Sequence, residues 1–220
     1  MINFFDDPKV GLALGGGAAL GAAHIGVLKA LEERNIQITY VSGTSIGAMI
    51  GAFYAFGTEI KKIEEIAVNL KWLDVSSLSI SKMGLLSNKK LGNLIRKHLG
   101  DVNIEDAEKP LAITATDLSS GQKVVFKKGD LATAVMASTC VPGIFIPVES
   151  DGKMLVDGVL VENVPIQSLK TMGAEQIIAV DINALRLYKK PDDIIEVVTN
   201  ALDIAIENLS NLSSSNKCNT

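Results

Sequence analysis

The chain has 220 residues, of which 47% are hydrophobic and 21% are charged. This composition excludes intrinsic disorder, collagen-like repeats and a disulfide-dense miniature protein, and the length suffices for one domain with a sizeable core. The 21 basic and 25 acidic residues give a formal net charge of −4, without a dense cluster of Lys and Arg. A mildly acidic chain offers nucleic acid no electrostatic footprint, so we predict no nucleic-acid partner.

The cysteine content and the first residues bear on the compartment. Cys140 and Cys218 are too few and too far apart for a CxxC metal site or a disulfide framework, which fits a reducing compartment. Residues 1–8 contain two aspartates and no positive charge, unlike a secretory signal. We therefore expect a cytoplasmic protein.

Two long stretches of the chain, residues 10–28 and 35–58, carry no Asp, Glu, Lys or Arg. Their length is that of a membrane-spanning helix. Glycine clusters and turn-forming residues interrupt both of them, however, and buried parallel strands joined to buried helices produce the same pattern. The sequence therefore predicts buried α/β elements rather than a spanning helix.

The spacing of apolar residues predicts strands that alternate with helices. The predicted strands are residues 10–14, 38–42, 111–116, 123–126 and 176–181. The predicted helices are residues 20–33, a segment ending at 56, and residues 60–73, 91–99, 131–138 and 192–212. The Ser-rich residues 74–88 are predicted as an irregular loop and residues 213–220 as a disordered tail. This order predicts a single α/β domain over residues 1–220, a three-layer sandwich whose largely parallel central sheet has helices on both faces.

The first candidate site is the run Gly15-Gly16-Gly17 between a predicted strand and a predicted helix. Consecutive glycine amides at a helix N-terminus suit a phosphate or a developing oxyanion, although a plain tight turn produces the same run. A nucleotide-binding turn is a less favoured alternative. Gly15, Gly17 and Gly21 are spaced as GxGxxxG rather than GxGxxG, and no isolated acidic residue follows the second strand where a ribose requires one.

The second candidate site is Gly43-Thr44-Ser45-Ile46-Gly47, again between a strand and a helix. A GxSxG pattern places the serine on a sharp turn with its hydroxyl projecting outward, which favours Ser45 as a nucleophile. The alternative is a serine that caps the helix. Ser42 lacks flanking glycines and is the weaker candidate.

A serine nucleophile requires a base, and the chain has only two histidines. His24 falls on the apolar stripe of its helix, which indicates a packed core histidine. His98 lies near the end of a basic helix, and no histidine follows it. A triad in the Ser–acid–His order of α/β-hydrolases would therefore need its acid between Ser45 and His98, which leaves too few elements between them and is disfavoured. The remaining candidate is Asp157, followed by Gly158, although Asp-Gly between apolar residues is also a hairpin signal, as is Asp151-Gly152.

Five segments together carry a resemblance that no single motif carries. They are Leu12 to Gly17, Ala22 to Leu28, Gly43 to Ala48, Ala137 to Phe145, and Asp157 to Pro165. In this order, from about residue 10 to residue 181, the chain resembles the bacterial patatin-like phospholipases.

The resemblance implies a serine acyl hydrolase with a Ser–Asp dyad, no histidine and no metal or cofactor. Ser45 would be the nucleophile and Asp157 its base, with the amides of Gly15, Gly16 and Gly17 as the oxyanion hole. The implied substrate is a lipid or other ester, met at a membrane surface by a cytoplasmic, peripheral protein.

Three residues depart from the family pattern: Ala18 stands for a glycine, Leu20 for an arginine, and Val159 for a small residue. These changes motivate an alternative, a catalytically weak or inactive lipid-binding or regulatory protein of the same fold. The Ser-rich segment with Trp72 and Leu85-Leu86 is a candidate entrance flap, or else a plain surface connection.

Overall fold

A computed structural model describes residues 8–17, 21–69, 77–81, 84–183, 190–192 and 194–215. Within these ranges the strands are β1 (Val10–Leu14), β2 (Tyr40–Thr44), β3 (Ser77–Ser81), β4 (Gly84–Ser87), β5 (Leu111–Asp117), β6 (Gln122–Phe126), β7 (Val148–Ser150), β8 (Lys153–Asp157) and β9 (Gln176–Val180). The helices of the same ranges are α1 (Ala22–Glu33), α2 (Ile46–Ala55), α3 (Ile60–Val68), α4 (Lys89–Leu99), α5 (Leu131–Ser138), α6 (Ile166–Met172) and α7 (Ile194–Ser215).

The central sheet has helices on both faces, which confirms the predicted α/β sandwich. On one face, α2 brings Gly51 against Val41 and Leu14. On the opposite face, α6 brings Leu169 against Gly11. Gly11 and Leu14 are an odd number of positions apart on β1, and successive side chains of a strand point to opposite faces. The two helices therefore cover different faces of the sheet.

The sheet is mixed, with a parallel and an antiparallel half. β9, β1, β2 and β5 lie side by side in parallel, whereas β6 and β8 pair with β5 antiparallel and β7 pairs with β8 antiparallel. Two of the antiparallel pairs, β5 with β6 and β7 with β8, are joined by short turns at residues 118–121 and 151–152, and so short a connection can join only antiparallel strands. Asp151 and Gly152 have φ of 50° and 71°, which confirms the predicted hairpin turn.

The parallel half places the two predicted turns at one edge of the sheet. β1 and β2 are parallel, with Leu14 opposite Gly43 at their C-terminal ends. The glycine run follows the first strand and Ser45 follows the second. Since the carboxyl ends of parallel strands share one edge, both turns lie together there.

β2 and β8 pair with the same edge of β5, and this brings the ends of the two strands together. β6 pairs with residues 113–117 of β5 and so fills one edge over that length. β2 pairs with β5 as far as Thr44 opposite Thr114, and β8 pairs from Asp157 opposite Ala115, so both occupy the other edge. β2 runs parallel to β5 and β8 runs antiparallel. Their C-terminal ends therefore point at each other.

The prediction of an irregular loop over residues 74–88 is wrong for the part that the structure describes. β3 and β4 form an antiparallel hairpin, and Leu86 exchanges backbone hydrogen bonds with Ile144 and Ile146 at 2.9 Å each. Serines alternate with Leu78 and Ile80 here, a period of two that is typical of a strand. Trp72 lies outside the described residues, and so does the side chain of Leu85.

The remaining differences are the strands β7 and β8, which are not among the predicted strands, and the ends and number of the helices. α6 was not predicted, and its seven residues are too few to show a helical period. α7 extends to Ser215, so its last turn lies within the segment predicted as a tail, and residues 216–220 lie outside the described residues. None of the helices that the structure describes is long and apolar enough to cross a bilayer.

Candidate active site

Ser45 occupies a sharp turn between β2 and α2, with φ of 54° and ψ of −125°. This conformation is rare for a residue with a side chain and marks a strained site. A Cβ on Gly43 would lie 2.5 Å from Cα of Ala48, and one on Gly47 would overlap the carbonyl oxygen of Leu14. The two glycines of the GxSxG pattern are therefore required because backbone approaches them closely.

The side chains of Ser45 and Asp157 meet at the junction of β2 and β8. The Oγ hydroxyl of Ser45 donates to Oδ2 of Asp157 at 2.7 Å. The other carboxylate oxygen, Oδ1, accepts from the backbone N–H of Val159 at 3.0 Å, and Thr116 Oγ1 donates to the carbonyl oxygen of Asp157 at 2.8 Å. The carboxyl group is thus held at both oxygens and at its backbone.

Burial sets the proton affinity of this carboxyl group. Asp157 is 1% exposed, and desolvation raises its pKa to about 7, against the opposing effect of the hydrogen bonds from Ser45 and Val159. The negative charge of Asp203 is a smaller contribution to the same increase in the pKa. The buried Cys140 thiol close by has its pKa raised to about 12, by burial first and by the charge of Asp157 second. Asp157 therefore exchanges its proton near neutral pH, while Cys140 stays protonated.

The glycine run lies beside Ser45, but its amides do not all point to a common position. The N–H of Gly15 donates to the carbonyl oxygen of Val180 at 3.0 Å. The N–H of Gly16 donates to Asn163, with the backbone oxygen at 3.2 Å and Oδ1 at 3.1 Å. Among the described residues, no group accepts from the N–H of Gly17. Two of the three predicted donors are thus already paired with acceptors of the protein itself.

Gly16 forms the contact between the glycine run and Ser45. A Cβ on Gly16 would lie 3.2 Å from Cβ of Ser45 and would overlap Cγ1 of Val159. Asn183 Nδ2 donates to the carbonyl oxygen of Gly16 at 3.0 Å, while Asn163 holds its amide. The backbone N–H and the backbone carbonyl of Gly16 are therefore each held by a hydrogen bond to an asparagine.

The histidines lie apart from the dyad. His24 is fully buried, which confirms the predicted packed histidine, and its Nε2 lies 2.8 Å from the carbonyl oxygen of Gly15. Since a carbonyl can only accept, Nε2 carries the hydrogen, and burial lowers the pKa of His24, so the ring is neutral. His98 is exposed and packs edge-on against the ring of Phe53 at 6.0 Å.

Several hydroxyl groups fasten the segments around the dyad. Ser42 Oγ donates to the carbonyl oxygen of Pro165 at 2.8 Å, and Thr44 Oγ1 donates to that of Glu162 at 3.0 Å, so the weaker serine candidate holds a loop in place. Ser138 Oγ contacts the backbone of Ser45 at 2.9 Å. No role was predicted for Ser138, Asn163 or Asn183, because each of them bonds to a residue far away in the chain.

An apolar cluster lies next to Asp157. Its buried members and the partly buried aliphatic residues packed on them come from five segments of the chain: Cys140, Ile144, Phe145, Val156, Leu86, Val141, Val148, Leu160 and Val198. The N–H of Asp157 donates to the carbonyl oxygen of Cys140 at 2.8 Å, which ties the dyad to this cluster. Within the described ranges, no group of His, Cys, Asp and Glu side chains is arranged to hold a metal ion.

The protein is thus an α/β sandwich in which a serine on a strand–helix elbow donates a hydrogen bond to a buried aspartate. The patatin-like phospholipase family model matches residues 12–170, and the chain belongs to that family. The predicted resemblance is thereby confirmed.

Individual relatives each match most of the chain. An uncharacterized NTE family protein of Mycobacterium tuberculosis is 38% identical over 182 residues, which are 80% of this chain and 49% of that protein. Lysophospholipase nte1 of Emericella nidulans is 34% identical over 80% of this chain and 12% of its own length. This chain spans about half the length of the mycobacterial protein and a smaller share of the fungal one.

The crystal structure of VipD from Legionella pneumophila matches with a TM-score of 0.61 and 18% identity, over 73% of this chain and 47% of that chain. At this identity the likeness extends to the fold alone. Of the three departures from the family pattern, Ala18 and Leu20 lie outside the described residues. The side chain of Val159 packs on Gly16, and the backbone N–H of Val159 donates to Oδ1 of Asp157.

Proposed function

We propose that the chain hydrolyses acyl esters of lipids, with Ser45 as the nucleophile and Asp157 as its general base. The observation that carries the proposal is the 2.7 Å hydrogen bond from Ser45 Oγ to Oδ2 of a buried carboxyl group. A general base must lie within hydrogen-bond reach of the proton that it abstracts, and Asp157 meets this condition. The elbow conformation of Ser45 favours the same role.

In the first half of the reaction, Ser45 Oγ attacks the ester carbonyl carbon while Asp157 Oδ2 takes the hydroxyl proton. The tetrahedral intermediate then breaks its bond to the alcohol oxygen, and Asp157 returns the proton to that oxygen as it leaves. In the second half, Asp157 takes a proton from water, whose oxygen attacks the acyl-enzyme. Departure of Ser45 Oγ with the proton releases the fatty acid and restores the dyad.

A lone carboxylate suffices as the base because of its environment. A carboxyl group with an ordinary pKa is a weak base towards a serine hydroxyl, and a base works best when its pKa lies near the operating pH. Burial brings the pKa of Asp157 to about 7. The buried site thereby supplies the basicity that a histidine would supply in a triad.

For the oxyanion, we propose that the N–H of Gly17 is the donor that is ready in the free protein. The N–H of Gly16 becomes a second donor if it exchanges Asn163 for the substrate oxygen. Gly15 donates no hydrogen bond to the oxyanion, because its N–H is already bonded to Val180 at the end of β9. Its contribution is to the shape of the turn. This assignment narrows the predicted oxyanion hole of Gly15, Gly16 and Gly17 to its last two residues.

The apolar cluster beside Asp157 indicates the substrate class. Leu86, Leu160 and Val198 are partly buried aliphatic residues at its margin, and such surface favours a hydrocarbon chain. One relative is named a lysophospholipase. We propose single-chain lipid esters of this kind, presented at a micelle or membrane surface to a cytoplasmic, peripheral enzyme that uses no cofactor.

The alternative of an inactive lipid-binding protein is less well supported. The hydrogen bond between Ser45 and Asp157 is intact although valine stands at position 159, and the backbone N–H of that residue still donates to the carboxyl group. A protein that only bound lipid would have no need of a strained serine against a buried acid.

The test is hydrolysis of p-nitrophenyl esters of graded acyl length by the wild type and three variants. Ser45→Ala and Asp157→Asn should each lower kcat/KM by about a thousandfold or more. Ser168→Ala is the matched control, because it removes a buried serine hydroxyl on α6 that has no hydrogen-bond partner among the described residues. Equal turnover by the wild type and Ser45→Ala would contradict the proposal, and longer acyl chains should be preferred.

A further inference from the structure

Ser138 lies at the end of α5 with its side chain fully buried, and its hydroxyl touches two backbone groups of the sheet. Ser138 Oγ donates to the carbonyl oxygen of Thr114 at 2.6 Å. The same oxygen accepts from the backbone N–H of Ser45 at 2.9 Å. One hydroxyl thus connects the elbow that holds the candidate nucleophile to strand β5.

The position of this hydroxyl corresponds to a gap in the sheet. The parallel ladder of β2 and β5 ends with Thr44 opposite Thr114, and at Ser45 the chain turns away from β5. The antiparallel ladder with β8 begins one residue further along β5, at Ala115 opposite Asp157. Ser138 fills the junction between the two ladders, and among the described residues its hydroxyl is the group that pairs with the N–H of Ser45 and with the carbonyl of Thr114 there.

Both backbone groups are buried, so leaving them unpaired carries the full desolvation penalty. The hydroxyl also holds the peptide that leads into Ser45, and hence the direction of the Cα–Cβ bond from which the Ser45 hydroxyl extends. The positive φ of Ser45 is strained, and such a conformation persists only when its surroundings over-determine it. Ser138 is one of the groups that determine it.

We infer that Ser138 is a positioning residue that holds the backbone of Ser45 so that its hydroxyl faces Asp157. It does not touch the reacting atoms. This inference rests on the proposed function, since it assigns Ser138 to the same nucleophile. Its predicted signature is a loss of kcat with little change in KM, because substrate contacts remain while the attack geometry loosens.

The neighbouring Thr139 provides a matched control. It is also buried at the end of α5, and its hydroxyl donates to the carbonyl oxygen of Val135 at 2.8 Å, within the helix itself. Thr139→Val therefore removes one buried hydroxyl from the next position without touching Ser45. Comparing Ser138→Ala with Thr139→Val separates the loss of a buried hydrogen bond from the loss of the bridge.

The experiment compares the wild type, Ser138→Ala, Thr139→Val and Ser138→Thr by two measurements. The first is hydrogen exchange of the Ser45 amide, followed by NMR, which reports the bridge without any catalysis. The second is the pair kcat and KM on a p-nitrophenyl ester, expressed per folded molecule and measured well below each melting temperature. Ser138→Thr retains the hydroxyl and serves as the conservative replacement.

We expect Ser138→Ala to lose protection of the Ser45 amide and about 10- to 100-fold in kcat, with KM within about threefold of the wild type. Thr139→Val should keep both, and Ser138→Thr should restore most of both. An amide as protected in Ser138→Ala as in Thr139→Val overturns the inference, and so does equal kcat in those two variants. A wild type that hydrolyses no ester overturns the proposed function and this inference with it, whereas a wild type that requires Ser45 but not Ser138 overturns this inference alone.

Discussion

The hydroxyl of Ser45 lies 2.7 Å from the carboxylate of Asp157, although 112 positions separate the two residues in the sequence. They meet because β2 and β8 pair with consecutive residues on one edge of β5, from opposite directions. A shift of either strand by one residue would turn its side chains to the other face of the sheet and separate the pair. The register of β5 with its two neighbours therefore fixes the site.

The pH dependence of ester hydrolysis should report the carboxyl group of Asp157. Burial raises its pKa to about 7, and only the deprotonated form accepts the proton of Ser45. We expect kcat/KM to rise tenfold per pH unit below this value and to reach a plateau above it. The measurement is kcat/KM from about pH 5 to about pH 9 on a neutral ester. A rate that falls as pH rises through 7 would contradict the assignment of Asp157 as the base.

The same carboxyl group should make the folded state less stable at alkaline pH. Between its ordinary pKa and about 7, native Asp157 holds a proton that the unfolded chain has released, so the free energy of unfolding falls as pH rises. Asp157→Asn removes this dependence. The free energy of unfolding of the variant minus that of the wild type should therefore be larger at about pH 8.5 than at about pH 5, by up to about 3 kcal/mol.

Thermal melts of both proteins at the two pH values test this prediction. Asp151→Asn is the control, because Asp151 is exposed in the turn between β7 and β8 and asparagine tolerates its positive φ. A difference between the wild type and Asp157→Asn that does not change with pH would show that the buried group stays charged, or stays neutral, throughout.

Gly16 should tolerate no side chain unless Val159 becomes smaller. A Cβ on Gly16 would overlap Val159 Cγ1 and press on Ser45. We expect Gly16→Ala to lower kcat about a hundredfold, as the loss of an oxyanion donor does. Gly16→Ala combined with Val159→Ala should recover about tenfold of that loss, because the nearest obstruction is gone. The double-mutant cycle measures this coupling, and strictly additive effects on kcat would contradict it.

His24 should matter for structure rather than for proton transfer. Its Nε2–H donates to the carbonyl oxygen of Gly15, and the dyad does not contact it. We expect His24→Gln, which keeps an N–H donor, to lose less than about tenfold in kcat/KM, whereas His24→Ala should also lower the free energy of unfolding by about 2–4 kcal/mol. Kinetics and denaturant melts of the two variants distinguish these effects. A thousandfold loss in His24→Gln would indicate a histidine base instead.

The local motifs were predictable from the sequence, and their long-range connections were not. The strand predicted at residues 10–14 and the helix predicted at residues 131–138 have the same bounds as β1 and α5. The pattern of apolar residues in each segment is sufficient to predict them. Asp157 followed by glycine is, on its own, a hairpin signal. Asp157 was predicted as the base only from the order of the motifs along the chain. No local sequence pattern predicts the register of β2 and β8 on β5, which brings Asp157 to Ser45.

For the glycine run, the position was predictable from the sequence but the hydrogen bond of each amide was not. Its position beside Ser45 follows from two parallel strands ending at one edge. The use of each amide does not follow, because the acceptor for Gly16 is Asn163, 147 positions further along the chain. In the hairpin of β3 and β4, by contrast, a local signal was present: the alternation of serine with leucine and isoleucine predicts a strand even where serine is abundant.

The most direct test of the Ser45–Asp157 pair is covalent labelling with a fluorophosphonate, followed by intact-mass measurement and peptide mapping. We predict one adduct per chain, located on Ser45, absent from Ser45→Ala and formed far more slowly in Asp157→Asn, with Ser168→Ala labelled at the wild-type rate. An unlabelled wild-type protein, or an adduct that persists in Ser45→Ala, would contradict the assignment of Ser45 as a nucleophile activated by Asp157.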